Sequence, residues 1–324
     1  MECIVEDIES THCELREADR VEVVSLVDNS ADFLSSTDKK QVKSFRQWTK
    51  TNTELPIAEH GFSMLIRTVV NGKVHDILFD TGISRRGVVE NASRMHLDLK
   101  QVEAIVLSHG HYDHFGGLEA VVKKIAKSGL PIVAHESMFD VRGQCNSDGT
   151  IREYPKFPAE KKLGPARIVM TTKPSLLADD TICVTGEVPR RTTFEKGFAR
   201  HRVFVNGSWQ PDPLIRDDRA IVINVKNKGL VVLSGCAHSG AINTITYAQQ
   251  ITGETKVYAV IGGFHLAGKD SENRIEPTIK ELTRIAPTLI APSHCTGWKA
   301  IRAIAEALPD AFVWNSVGNR YTLT

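Results

Sequence analysis

Between positions 109 and 114 the chain gathers three of its twelve histidines and an aspartate, in the run SHGHYDHFGG (108–117). The run is wedged between EAIVLS (103–108), an apolar stretch of strand length, and GGLEAVVKKIAKSG (116–129). In the latter, Leu118, Val121, Val122 and Ile125 recur at helical spacing until Gly129 stops the pattern. A buried strand running straight into a helix belongs to an α/β sheet, and the side chains between them emerge at the sheet's carboxyl edge, where ligand sites form. His109 and His111, two apart in extended backbone, aim their imidazoles the same way. Asp113 and His114, at the helix entrance, serve a neighbouring position. Neutral imidazole and carboxylate together suit zinc, iron or manganese. The plainer alternative, a His-rich surface loop, does not account for this mix of residues at this spacing.

The rest of the chain supports such a sheet. VEVVSLVDN (21–29) reads as a β-branched first strand. FSMLIRTVV (62–70) and KVHDILFD (73–80) flank Asn71-Gly72, the strongest short hairpin signal. AIVINV (220–225) and LVVLSG (230–235) flank a second turn at Asn227-Lys228-Gly229. Helices and strands then alternate through KVYAVIGG, TLIAPSH, GWKAIRAIAEAL and a last strand, AFVWN (311–315). Each half carries a hairpin followed by alternating helix and strand, which predicts two helix-faced sheets related by a pseudo-twofold. Residues 1–20 lack periodicity and predict a weakly docked extension. Residues 31–55 read as a polar loop with a short helix. Residues 140–218 hold short strand candidates and no long helix, which predicts a β-rich insertion able to cover a site within a single domain spanning 21–324.

Composition narrows the partners. Forty Lys+Arg against 39 Asp+Glu leave a formal charge of +1, which argues against a coat for nucleic acid or an anionic membrane. No apolar run approaches the ~18–20 residues of a membrane helix. The acidic first twenty residues do not form a secretory signal. Six cysteines without a CxxC pair predict free thiols and a cytoplasmic location.

HGHYDH is similar to the HxHxDH signature of the metallo-β-lactamase fold, and LFDTG (78–82) resembles that superfamily's strand-end Asp motif. More narrowly, EHGFS (59–63), GEVPR with TFE (186–195), DDRAIVI (217–223), GCAHSG (235–240), IGGFHL (261–266) and SHCTG (293–297) look like one subgroup. That subgroup is labelled 7,8-dihydropterin-6-yl-methyl-4-(β-D-ribofuranosyl)aminobenzene-5′-phosphate synthase-like. The resemblance covers about residues 20 to 320 and implies a four-layer αββα sandwich of two mixed β-sheets.

Carried over, the resemblance makes His109, His111, Asp113, His114 and His294 metal ligands, with His238 as a sixth. Asp113 would also help orient an attacking water. The wider pattern places an Asp at the strand end now held by Cys236, so the bridge between two metals is open here. His238 is favoured over Cys236 because a small buried Cys is commonly only packing; as a ligand, its thiolate would favour a softer ion. Asp80 is expected to orient a ligand imidazole or loop amides, or else to cap the next helix. His265 reads as substrate-contacting or outer-shell, with a core histidine as the alternative. His60 could reach the site, with a surface role slightly favoured; Arg190 and Arg191 could bind a phosphate from the inserted region, with a solvated pair favoured; and nothing special is expected of His12, His75, His96 and His201.

The implied cofactor is a pair of divalent ions, zinc foremost, with iron or manganese as alternatives. The implied activity is attack by metal-activated hydroxide on an anionic, phosphorylated small molecule, in hydrolase-type chemistry. The subgroup's label offers a second activity, a synthase joining a pterin to an aminobenzene ribosyl phosphate. A metal-binding sensor without catalysis is the reading from another class. Neither nucleic acid nor membrane is expected as a partner, and oligomeric state is not legible.

Overall fold

A computed structural model describes residues 6–7, 12–51 and 53–324. Eight strands make one sheet, in the order Arg167–Met170, Pro131–Ala134, Val102–Val106, Lys73–Phe79, Ser63–Val70, Arg20–Val27, Arg320–Leu323, Val42–Lys43. Seven make the other: Glu6–Asp7, Ser175–Leu177, Ile182–Val184, Ala220–Val225, Gly229–Ser234, Val257–Gly263, Leu289–Ser293. Both predicted hairpins form, one in each sheet. Asn71 (φ 49°) and Gly72 (φ 78°) both take left-handed backbone, as a two-residue hairpin turn with the strands' own twist requires.

Period-two alternation then sorts the side chains. Ile221, Ile223 and Val225 point into an inter-sheet core with Val23, Met64, Ile66, Ile77 and Phe79, while Val222 faces the other way. Outside the eight-stranded sheet, Leu78 and Ile105 pack against helices Gly87–Arg94 and Leu118–Ile125. Outside the seven-stranded sheet, Val222, Val232 and Ile290 pack against Ala241–Thr252, Ile275–Ile285 and Trp298–Ala307. The result is the expected αββα sandwich. Each sheet has a parallel segment: Lys73–Phe79 through Val102–Val106 and Pro131–Ala134 in one, Gly229–Ser234 through Val257–Gly263 and Leu289–Ser293 in the other. The candidate site residues follow directly on the carboxyl ends of these strands.

Four expectations are corrected. Of the extension 1–20, residues 1–5 and 8–11 lie outside the described residues; residues 12–18 are docked, with Cys13 and Ala18 buried and Cys13 N–H donating to Ile251 O. Cys13 pairs with Cys183 in a disulfide, against the expectation of free thiols throughout. Residues 140–218 divide: Arg142–Cys145, Ile151–Glu153, His201–Val205 and Ser208–Pro211 form a separate four-stranded sheet. The chain between them instead supplies the edge strand Arg167–Met170 to the eight-stranded sheet and Ser175–Leu177 and Ile182–Val184 to the seven-stranded one. At AFVWN only a single bridge, Ile290 to Phe312, forms; the last strand is Arg320–Leu323, which returns to the first sheet against Arg20–Val27. Hydrophobic runs reveal that a strand exists, and the sheet it joins is decided by tertiary pairing. Among the described residues no helix is long and apolar enough to cross a membrane.

Candidate metal centre

Three imidazole nitrogens meet where the two sheets' strand ends face each other. His109 Nε2 lies 3.0 Å from His111 Nδ1, and His238 Nε2 lies 3.1 Å from each of them. Burial, reinforced by neighbouring imidazoles, pushes all three well below the usual histidine range, so each presents a neutral ring. A second group surrounds Asp113, whose Oδ2 is 3.2 Å from His294 Nε2 and 3.8 Å from His114 Nε2. Burial raises the Asp113 carboxyl, but His114, His294 and His60 outweigh it and hold it well below the carboxylate range. For His114 burial opposes the charge, and the Asp80 and Asp113 carboxylates overcome it, lifting the ring to about 9.

The outer contacts fix which nitrogen faces inward. Asp80 Oδ2 accepts from His114 Nδ1 at 2.6 Å, and Asp80 Oδ1 accepts from Ser108 N at 2.7 Å. Ser108 Oγ donates to Asp80 Oδ2 at 2.7 Å and stands 2.9 Å from His109 Nδ1. His294 Nδ1 stands 3.3 Å from Asn29 Oδ1, which leaves Nε2 to face Asp113 Oδ2. Such outer partners set tautomer and ring orientation in metal sites. The backbone is strained to match: Asp80 (φ 60°), His265 (φ 42°) and His294 (φ 48°) all lie in the left-handed region. Gly235 is required by close approach, since a Cβ there would lie 2.2 Å from Ser108 Oγ. Converging neutral nitrogens beside a carboxylate fit divalent ions of the zinc, iron or manganese type.

The structure brings together all the predicted ligands. His238 Nε2 stands with the His109 and His111 nitrogens, and Cys236 Sγ lies 3.2 Å from His114 Nε2, so both candidates for the position lie at the centre. Asp80 holds the His114 imidazole, and the following helix Gly87–Arg94 has no side-chain cap. The His265 ring is 4.2 Å from that of His238 and lines the cavity above the centre. His60, expected at the surface, keeps a largely exposed side chain yet places Nε2 3.2 Å from Asp113 Oδ2. Arg190, expected solvated, is partly buried and donates to Leu214 O.

Sequence reasoning missed His201. It is fully buried, its Nδ1 is 2.9 Å from Asp212 O, and its Nε2 is 3.1 Å from His111 Nε2. With His201 Nδ1–H donating to that carbonyl, Nε2 accepts from His111 Nε2–H and leaves His111 Nδ1 free to face the centre. Nothing local in HRVFVNG signals this, because the contact is made by the inserted sheet folding over the loop. His201→Phe is expected to weaken metal binding by about 10–100-fold, read by calorimetric titration of the metal-free protein. Unchanged affinity would show that the contact is incidental.

Also unassigned from sequence was the role of DDRAIVI. Asp217 Oδ2 accepts from Gly110 N at 2.6 Å and binds the Arg142 guanidinium through both oxygens at 2.7 Å. Asp218 Oδ2 accepts from Ser239 N at 2.8 Å, and Arg219 N–H donates to Ser108 O at 3.0 Å. One tripeptide thus ties the 108–117 loop to the 235–240 loop. On the far side, His294 N–H donates to Asp28 Oδ1 (2.8 Å), Asn315 Nδ2 to Asp28 Oδ2 (2.6 Å), and Tyr321 OH to Asn315 Oδ1 (2.7 Å). Above the centre lies a cavity of about 490 Å³ with His111, Asp113, His238 and His265 along its floor. Tyr154 and Phe198 supply aromatic walls, and Arg152, Arg200 and Lys269 supply positive charge.

Residues 58–171 match the metallo-beta-lactamase superfamily. Over 265 residues the chain is 36% identical to the 7,8-dihydropterin-6-methyl-4-(beta-D-ribofuranosyl)-aminobenzene-5'-phosphate synthase of Methanocaldococcus jannaschii, covering 79% of this chain and 87% of that one. It is 32% identical to an uncharacterised protein of the same organism, covering 81% and 92%. A solved metal-dependent hydrolase of the beta-lactamase superfamily aligns with a TM-score of 0.71 at 23% identity, over 94% of this chain and 98% of that one. The metallo-beta-lactamase fold protein YhfI from Bacillus subtilis aligns at 0.51 and 12% identity, over 94% and 100%. These last two likenesses concern the fold.

Proposed function

The chain belongs to the metallo-beta-lactamase superfamily, and on that premise we propose a metal-dependent enzyme acting on a phosphorylated, aromatic small molecule. His109, His111 and His238 would hold one divalent ion, and Asp113, His114 and His294 a second, with zinc the first choice. Bound there, the ions would supply Lewis-acid activation of water or of a substrate oxygen. The observation that carries the reading is the pair of converging donor groups on the floor of a cavity whose mouth carries Arg152, Arg200 and Lys269 beside Glu153 and Asp270. Arg152, Arg200 and Lys269 would take the phosphate by charge-assisted hydrogen bonds. Tyr154 and Phe198 would stack on the aromatic ring. Asp80, Ser108 and His201 would keep the ligand rings in place, so that substrate meets a site already arranged for it.

Of the two chemistries expected from sequence, synthase-type group transfer now has the better support. The 36%-identical relative carries a synthase name over most of its length, whereas the structure named a hydrolase is 23% identical and bears on fold alone. Metal-replete protein given a 7,8-dihydropterin and an aminobenzene ribosyl phosphate is expected to form a condensation product, detected by mass spectrometry. Release of phosphate, alcohol or acid from ester and lactone substrates with no condensation would reinstate the hydrolase. Inactivity towards every substrate with metal bound would favour a sensor.

A further inference from the structure

Cys236 is buried, yet it belongs to none of the three apolar clusters that make up the described core. Its sulfur is surrounded by metal-binding atoms instead. Sγ lies within 4.8 Å of the ligand nitrogens of His109 and His114, of His238 and His265, and of His294. His109 and His238 belong to the three-imidazole group; His114 and His294 belong to the group around Asp113. One sulfur is therefore within reach of both, and the nearest nitrogen, His114 Nε2, is 3.2 Å away. His294 Nε2, 3.2 Å from Asp113 Oδ2, is also within 4.8 Å of the same sulfur, so an imidazole, a carboxylate and the thiol converge on that side.

We propose that Cys236 is the bridge of the centre: as a thiolate, its Sγ binds both divalent ions at once. The proposal rests on the two-ion reading above and adds the ligand that joins them. On binding, the S–H bond breaks, two sulfur–metal bonds form, and the proton passes to solvent. The donor atoms become three nitrogens and a sulfur on one side, and two nitrogens, an oxygen and a sulfur on the other. A shared sulfur shifts preference towards zinc, cobalt or cadmium and away from manganese or magnesium, which favour oxygen donors. Packing of the strand ends holds the sulfur in place: a Cβ on Gly263 would lie 3.3 Å from Cys236 Cα and 2.7 Å from Cys295 Sγ. Cys295 Sγ gathers with Cys236 and His294 but in no group with His109, His111, His114 or His238, so it can serve one side at most and is the control for the bridge.

The test is cobalt substitution of the full chain, which reads the ligand without reading activity. Wild-type protein should bind two cobalt ions and show a near-ultraviolet thiolate-to-cobalt charge-transfer band. Cys236→Ser should lose the band and fall towards one ion, while Cys295→Ser should keep both. Cys236→Asp, which restores a bridging oxygen even if the serine variant folds poorly, should keep two ions. It should also shift zinc-over-manganese preference by about tenfold or more towards manganese. Two bound ions without the band, or a band lost in Cys295→Ser and kept in Cys236→Ser, would overturn the bridge alone. Fewer than two ions in wild type would overturn the two-ion reading and the bridge with it.

Discussion

His111→Ala is expected to leave a folded protein that retains less metal and has no measurable turnover. His111 Nδ1 is one of three nitrogens packed 3.0–3.1 Å apart, and alanine removes it without offering another donor. Loss of an outer-shell partner alone costs about 10–100-fold in affinity, so loss of the ligand itself should cost more. Turnover should fall on the order of 10³-fold or more, since even one neutral donor to a reacting oxygen is worth about 10²–10³-fold. The fold should tolerate the change, because His111 faces the cavity and not a hydrophobic core. Elemental analysis after chelator-free purification, paired with the condensation assay, checks both. Normal metal stoichiometry with normal activity would falsify the assignment.

The second large effect concerns stability. Arg142 and Asp217 form a bidentate pair in which both side chains are almost completely buried. Arg142→Met would strand the carboxylate, and breaking a buried pair from one side costs about 3–5 kcal/mol. For a chain of this length that is a fall of roughly 4–7 °C in the thermal midpoint. Burial alone would raise the Asp217 pKa, but the Arg142 charge and its hydrogen bonds outweigh burial and hold it far below the ordinary carboxylate range. The sign follows: Asp217 contributes its full stabilisation above the unfolded value of about 4 and loses it as pH falls from there towards the depressed native value. Wild type should therefore lose this increment below about pH 4, and Arg142→Met should have little of it left to lose. Arg142→Met with Asp217→Leu should recover much of the midpoint, which calorimetry across pH would show. Equal midpoints in wild type and Arg142→Met would mean the pair contributes nothing net.

Much of the centre was legible because its ligands sit in short local patterns. SHGHYDHFGG and the strand-end histidines His238 and His294 each follow an apolar run, and a strand's end is where its side chains leave the sheet. His201, His60 and Asp217 were not legible. Each reaches the centre by a tertiary contact, from the inserted sheet, from the loop before Ser63–Val70, or from the turn before Ala220–Val225. The fold shows the same division. Asn71-Gly72 carries its own geometry, so its hairpin was readable. Arg320–Leu323 has a strand's alternation in only four residues, and its pairing with Arg20–Val27 lies some 300 positions away in sequence. The Cys13–Cys183 pairing, across a separation of 170 residues, had no spacing signal either.

That late strand bears on how the protein can be handled. Tyr321 lies on it, and the hydrogen bonds running from Tyr321 through Asn315 and Asp28 end on the backbone of His294. A proteolytic nick or a fusion that peels Arg320–Leu323 from the sheet is thus also a lesion of the centre, although the two are separated in sequence. Preparations differing only at that end need not hold the same amount of metal. An intact carboxyl-terminal strand is a quality criterion to establish by mass spectrometry before any metal ratio is interpreted.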